Sequence, residues 1–323
     1  VGFLALAVLA ARVGTTVPAR NLAPVLLTAV AVPTLTVASL ALGPVWRRID
    51  PFDGLARLLR APEGAGEGHV WVAVGPAFAG VAYLTAYPAG LEPRVLGLVA
   101  GGYVLLTLAG CLALGRLSWL ERREPIGLLL TWFGGLRRRA LSDWAPPEGA
   151  GALLGVVGGG LVFGLIRGTS LYVSAAFAVG PRAADFGGVA LFAAVGATVM
   201  VLAERIRRDG TATAAAVPVV AGIVLAHALA QARLLFALQL LPGLLIDPFG
   251  RGWTVGGLGQ TEVRLLPFGV TTVVLVQLTL VVIGGVAAAR VVRQRTAGRG
   301  RIAAPVGAVL ALVMAGVLGV TTA

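Results

Sequence analysis

The sequence contains no lysine, one cysteine, two histidines and only 14 acidic residues in 323. Each scarcity removes a class of function. A lone Cys111 closes no intrachain disulfide and brings no second thiolate to a metal; inside an apolar run it reads as a small packed residue. His69 and His227 fall on different apolar segments, with no HExxH pair and no cysteine partner, so no metal site or other cofactor is expected. There is no GxSxG nucleophile elbow, and without lysine there is no P-loop. The glycine strings Gly158–Gly160 and Gly256–Gly259 read as helix packing and loop flexibility.

Charge itself is scarce. Charged residues make up 12% of the chain and hydrophobic residues 58%, with a mean hydropathy of +0.91, against about 25% charged in soluble domains. A soluble core of this length cannot hide so much apolar surface, whereas lipid replaces water around it. The expected fold class is therefore all-α: a polytopic transmembrane helix bundle in one domain, 1–323, with the lipid bilayer as its first partner. The net charge of +12 would suit nucleic acid only on a soluble face with interleaved aromatic residues. Here the arginines lie in short loops, and no nucleic acid partner is expected.

Apolar runs cover Val1–Ala11, Leu22–Leu42, Val70–Ala89, Val95–Leu114, Gly151–Val179, Gly187–Ala203, Ala214–Leu241, Phe268–Ala289 and Ala303–Val320. That predicts about nine membrane segments. The first is too short for the roughly 20 residues a span needs and reads as truncated. The run Gly151–Val179 is long for one span, and Gly158–Gly160 with Gly168 are expected to break or kink it, leaving a span that ends near Arg167 and an interfacial piece. Pro33, Pro76 and Pro218 mark kinks.

Arginine placement orients the chain. The loops 43–68, 115–150, 205–208 and 290–301 hold 18 of the 26 arginines, and the intervening loops hold six. This alternation is what the positive-inside rule requires. It predicts a cell-membrane protein of the bacterial inner-membrane type, with arginine-rich loops in the cytoplasm and the C-terminus outside.

Two loops carry structure of their own. Asp50-Pro51-Phe52-Asp53 starts a helix over 50–60, with Asp at the N-cap and Pro at the first helical position. Phe52, Leu55, Leu58 and Leu59 share its apolar face, as in an amphipathic helix on the cytoplasmic surface. The exoplasmic loop 242–267 contains Asp247-Pro248-Phe249-Gly250-Arg251-Gly252-Trp253, with Trp253 beside Arg251 as an interfacial anchor. Ile-Asp-Pro-Phe occurs in both places, after spans of opposite direction; an inverted repeat would arrange it so, but the flanking residues do not match.

This threading leaves all 14 acidic residues in loops or at span ends, which argues against coupling through an intramembrane carboxylate. The candidate intramembrane cluster is His227, Gln231 and Arg233 on one span with Gln277 on the next. Together they would line a cavity or simply hydrogen-bond between helices. Arg167 is expected to snorkel.

Gly43-Pro44-Val45-Trp46-Arg47-Arg48-Ile49-Asp50-Pro51-Phe52, followed by Leu55–Leu59, resembles a block in the bacterial family known as fenitrothion hydrolase membrane subunits. Ala226-His227 and the loop Asp247, Pro248, Gly250, Trp253 resemble two further family motifs in the same order. Two features depart from the family. Gly284–Arg290 carries no histidine, and Phe163–Leu165 carries no acidic residue, so a metal or proton site built on those positions is missing here. The resemblance implies a second protein subunit as partner and supplies no reaction. Three roles remain open. An accessory or scaffold subunit of a membrane complex comes first, a transporter for a small uncharged or anionic solute second, and a membrane-bound organophosphate hydrolase subunit third. No catalytic constellation is visible, and enzyme activity is not expected.

Overall fold

The computed structural model describes residues 1–64, 68–86, 92–138, 140–167, 169–206, 208–230, 233–254 and 270–296, which contain helices and no strand. The helices are α1 (Gly2–Val13), α2 (Val32–Leu42), α3 (Trp46–Ile49), α4 (Pro51–Leu58) and α5 (Trp71–Ala86). They continue as α6 (Pro93–Leu114), α7 (Arg116–Leu120), α8 (Pro125–Gly135), α9 (Ala140–Asp143) and α10 (Ala150–Ile166). The last five are α11 (Ser170–Val179), α12 (Pro181–Ile206), α13 (Thr211–Ala230), α14 (Arg233–Ile246) and α15 (Val270–Arg295). A π-helical stretch, Pro24–Ala31, runs directly into α2.

Five segments among the described residues are long and apolar enough to cross a membrane: Pro24–Leu42, Pro93–Leu114, Pro181–Ile206, Thr211–Leu229 and Leu275–Arg295. Five shorter apolar helices accompany them. The expectation of about nine segments thus resolves into two size classes, and the last expected run, Ala303–Val320, lies outside the described residues. α8 was not among the nine. Its 11 residues rise only about 16 Å, half of a bilayer core, too short for a run-length search to find.

α10 is the central helix. Thirteen of its 17 residues are buried, as expected of a helix that is apolar on every side. Glycines let its neighbours come to backbone contact. A Cβ on Gly155 would lie 2.3 Å from the Gly196 carbonyl oxygen of α12, and one on Gly159 would lie 2.1 Å from that of Phe192. On other faces Gly160 meets Val81 of α5 and Gly158 meets Val220 of α13. Gly158–Gly160 therefore pack the run rather than break it. The break comes later, between Ile166 and Ser170, and makes α10 and α11 separate helices. α13 and α15 approach in the same manner, Gly222 against the Leu280 carbonyl and Gly284 against that of Pro218.

Within the expected helix Ala214–Leu241 the described residues form α13, up to Ala230, and α14, from Arg233, and residues 231 and 232 lie outside them. α13 packs on α15 and α10, whereas α14 packs on the π-helical stretch.

The four arginine-rich segments converge at one end of the bundle. The Arg116 N–H donates to the Pro62 carbonyl (2.7 Å) and the Leu117 N–H to that of Glu63 (3.0 Å). Gly149 packs against Trp71. Arg295 donates from Nε to the Leu141 carbonyl (2.8 Å) and from Nη1 to that of Asp209 (3.3 Å). At the other end the Thr15 N–H donates to the Phe249 carbonyl (2.8 Å) and the Leu22 N–H to that of Pro248 (3.1 Å).

Candidate functional site

Two charged constellations occupy opposite ends of α5 and α10. At the arginine-rich end lies a cavity of about 780 Å³ whose walls include Trp46, Asp50, Asp53, Arg116, Trp132 and Trp144. Its rim carries Arg47 and Arg122, both exposed. Asp53 is the hub. It accepts from Arg57 Nε at 2.8 Å and from Arg116 Nη1, and Arg116 Nη2 also reaches Glu63 at 3.3 Å. No carboxylate of a described residue lies within ion-pair distance of Arg47 or Arg122. The cavity therefore offers uncommitted guanidinium groups beside aromatic walls.

Asp50 caps α4, accepting from the N–H of Phe52 (2.8 Å) and Asp53 (3.4 Å). Burial pushes its carboxyl from 3.8 up to about 6, the two N–H donors and the Asp53 charge being smaller influences. The expected start of the helix over 50–60 is therefore present, and its apolar residues divide between a buried side and an exposed one. Phe52 and Ala56 are buried, while Leu58 is 78% exposed, because α4 leans on α6 and α7 with Asp53 turned toward Arg116. The Phe52 ring meets Tyr103 edge-on at 5.7 Å and Trp46 at 6.2 Å.

Behind Trp46 lies Glu124, 1% exposed. It caps α8, accepting from the N–H of Ile126 (2.9 Å) and of Gly127, and it accepts the Tyr103 hydroxyl. Tyr103 stands 11 residues before Leu114 on α6 (114 − 103), about 16 Å along its axis. The carboxyl thus lies half-way along a full-length apolar helix. Glu124 itself stands at a helix end, as the N-cap of α8. The signal for the cap was present in Glu124-Pro125 followed by an apolar run; the partner on α6 left no mark in the sequence.

The second constellation is closed. Arg167, just past α10, grips Asp185 of α12 with two bonds, Nε to Oδ1 at 2.7 Å and Nη2 to Oδ2 at 2.9 Å. It also donates from Nη1 to the Thr85 carbonyl of α5 at 3.1 Å. The Tyr172 hydroxyl of α11 donates to Asp185, and Thr169 caps α11 through the Tyr172 N–H (3.2 Å). Asp185 is 3% exposed. Arg167 does not snorkel, because a buried carboxylate gives it a better partner than the interface does.

The expected polar cluster is only partly assembled. His227 packs on Gly164 near Thr85, so a Cβ on Gly164 would lie 2.6 Å from the His227 ring. Gln277 is buried and donates to the Ala226 carbonyl at 3.3 Å, a bond between helices. Gln231 and the Arg233 side chain lie outside the described residues. His227 thus borders the Arg167–Asp185 pair through Thr85.

Asp247, Pro248, Gly250 and Trp253 are at the far end from the cavity. α14 continues to Ile246, so the loop starts at Asp247, not at Pro242; its continuation from 255 onward lies outside the described residues. Asp247 accepts from the N–H of Arg251 (3.0 Å), Gly252 (2.6 Å) and Trp253 (3.2 Å). Gly250 takes φ 66°, and a Cβ there would strike the Arg20 carbonyl oxygen at 2.3 Å. Trp253 is about half exposed and meets Phe249 edge-on. The two Ile-Asp-Pro-Phe copies differ in form: Asp50 begins a helix and Asp247 follows one.

No three His, Cys, Asp or Glu side chains gather as a metal site among the described residues. No family model, curated protein or solved structure matches the chain.

Proposed function

We propose that this chain is a multi-pass protein of the cell membrane that binds a small anionic solute in the cavity and carries it across the bilayer. The positive-inside rule assigns the arginine-rich end to the cytoplasm and the C-terminus to the outside. What carries the reading is the asymmetry of α5 and α10, which run from an open cavity with exposed Arg47, Arg122 and Glu121 at one end to a two-bonded ion pair around the buried Asp185 at the other. A broken helix with ionisable groups at the break is the arrangement transporters use beside a solute pathway, and Arg167 stands at that break between α10 and α11.

The accessory-subunit expectation draws less support, since both loops offered for docking are engaged within the chain. α4 leans on α6 and α7, and the Asp247 loop is hydrogen-bonded to the Thr15–Leu22 segment. The hydrolase expectation rests on the family resemblance alone.

The test is uptake of labelled inorganic phosphate, sulfate and small carboxylates by liposomes containing the purified full chain. Uptake above that of protein-free liposomes is expected for at least one anion. The double variant Arg47→Gln, Arg122→Gln should weaken it roughly tenfold, as for about 1.4 kcal/mol of lost binding. Uptake equal to that of empty liposomes for every anion would sink the transport reading.

A further inference from the structure

Glu124 is buried without a compensating cation. Its partners are a hydroxyl and two backbone N–H groups, and among the described residues no guanidinium lies within ion-pair distance of it. Asp185, also deeply buried, is held by Arg167. Glu124 is balanced differently. Burial, the larger influence, favours the neutral acid, and the three donors that favour the anion only partly offset it.

The carboxyl is also next to the cavity. Trp46 and Gly127 both line the cavity. A Cβ added to Gly127 would lie 2.7 Å from Glu124 Oε2 and 3.0 Å from Trp46 Nε1. The missing side chain thus leaves the carboxyl oxygen and the indole N–H side by side at the cavity wall. Trp46 is 8% exposed and its N–H has no partner, a donor available to a carboxylate or a water that moves between them. The titratable groups that interact with Glu124 are Tyr103 and Cys111 from α6 and Asp50 from the cap of α4, and Asp53 and Arg116 line the same cavity. Asp53 and Arg116 neutralise one another, and Asp50 is turned to its own helix cap.

We propose that Glu124 is a proton-binding site served from the cavity, and that its loading and unloading couple solute movement to protons. A hydronium ion in the cavity passes its proton to a Glu124 carboxylate oxygen and leaves as water; release to water reverses the step. Tyr103 and the first turn of α8 hold the anion in place, and Trp46 separates it from the solute. The coupling rests on the transport reading above, whereas the proton site does not.

Infrared difference titration of the purified full chain separates the two. The wild type should show the carbonyl stretch of a protonated carboxyl that fades as pH rises and shifts on exchange into deuterium oxide. Glu124→Gln should remove that band and leave the contribution of Asp50. Tyr103→Phe, which takes one donor from the anion, should keep the band and move its midpoint to higher pH. A wild-type spectrum without the band, or a band unchanged by both substitutions, overturns the proton site. In liposomes, a pH gradient should accelerate wild-type uptake, and Glu124→Gln should retain solute exchange while losing the dependence on the gradient. Gradient-independent uptake by the wild type overturns coupling and leaves transport standing. A complete lack of uptake counts against transport alone, and the infrared arm still decides the proton site.

Discussion

The two ends of α5 and α10 solve the same electrostatic problem in opposite ways. At one end Asp53 shares charge with exposed Arg57 and with Arg116, itself only 7% exposed and also in reach of exposed Glu63, at the wall of an open cavity. At the other, Arg167 and Asp185 form a two-bonded pair with Asp185 almost wholly enclosed and Arg167 about a third exposed. An ion pair in contact with water gains little and loses little. A buried pair contributes little net stability when intact but costs a great deal when one member is removed. The open end can therefore exchange partners more readily than the closed end.

Breaking the closed end has the largest expected effect. Asp185→Ala leaves Arg167 facing Tyr172 and the Thr85 carbonyl with no counter-charge, at about 3 kcal/mol, the lower part of the range for buried pairs because Arg167 keeps some contact with water. Chemical unfolding in detergent measures it, and the double variant with Arg167→Ala should recover part of the loss.

Asp50 gives the next effect, and it depends on pH. Its folded-state value is raised from 3.8 to about 6, so its contribution to stability is fully present below about pH 4 and is lost as pH rises through about 6. The full displacement corresponds to at most about 3 kcal/mol, and water in the cavity brings it nearer about 2 kcal/mol. Asp50→Asn keeps the cap, since Asn serves there as well as Asp, and removes the titration. Thermal midpoints should fall with pH between 4 and 6 in the wild type and stay flatter in the variant. Equal slopes would mean that Asp50 is not held from water.

Asp53→Ala should cost least, about 1 to 2 kcal/mol: Arg116 is itself only 7% exposed, but it retains Glu63 at 3.3 Å. Salt sharpens the contrast: raising it should shrink the Asp53→Ala cost and leave that of Asp185→Ala nearly unchanged, since screening acts on solvated charges. A cost for Asp53→Ala as large as that for Asp185→Ala, and equally insensitive to salt, would erase the difference between the two ends.

Much of the scaffold was legible in the order of residues. Hydropathy located Pro24–Leu42, Pro93–Leu114 and the long helices that follow, because a bilayer selects for length and apolarity residue by residue. The Asp50-Pro51 cap was equally local. So was the alternation of arginines, which anticipated that residues near 62, 116, 149, 209 and 295 would meet at one end. Trp46, Arg47 and Asp50 stand together in the sequence and line the cavity, but nothing in their order marks a cavity. The chemistry of the interior was not legible either. Nothing near Glu124 indicates that Tyr103, 21 positions away, will hold its carboxyl half-way along α6. Nor does anything near Asp185 announce Arg167.

Sequence alone determined that the chain is helical and apolar and which of its loops lie together, since these depend on each residue's own preference for lipid, water or a helix cap. Tertiary structure alone decided which charges are closed and which are open. That outcome depends on where α8 turns back, where α10 stops, and how closely glycines let the helices approach. Those are properties of pairs of segments rather than of any one of them.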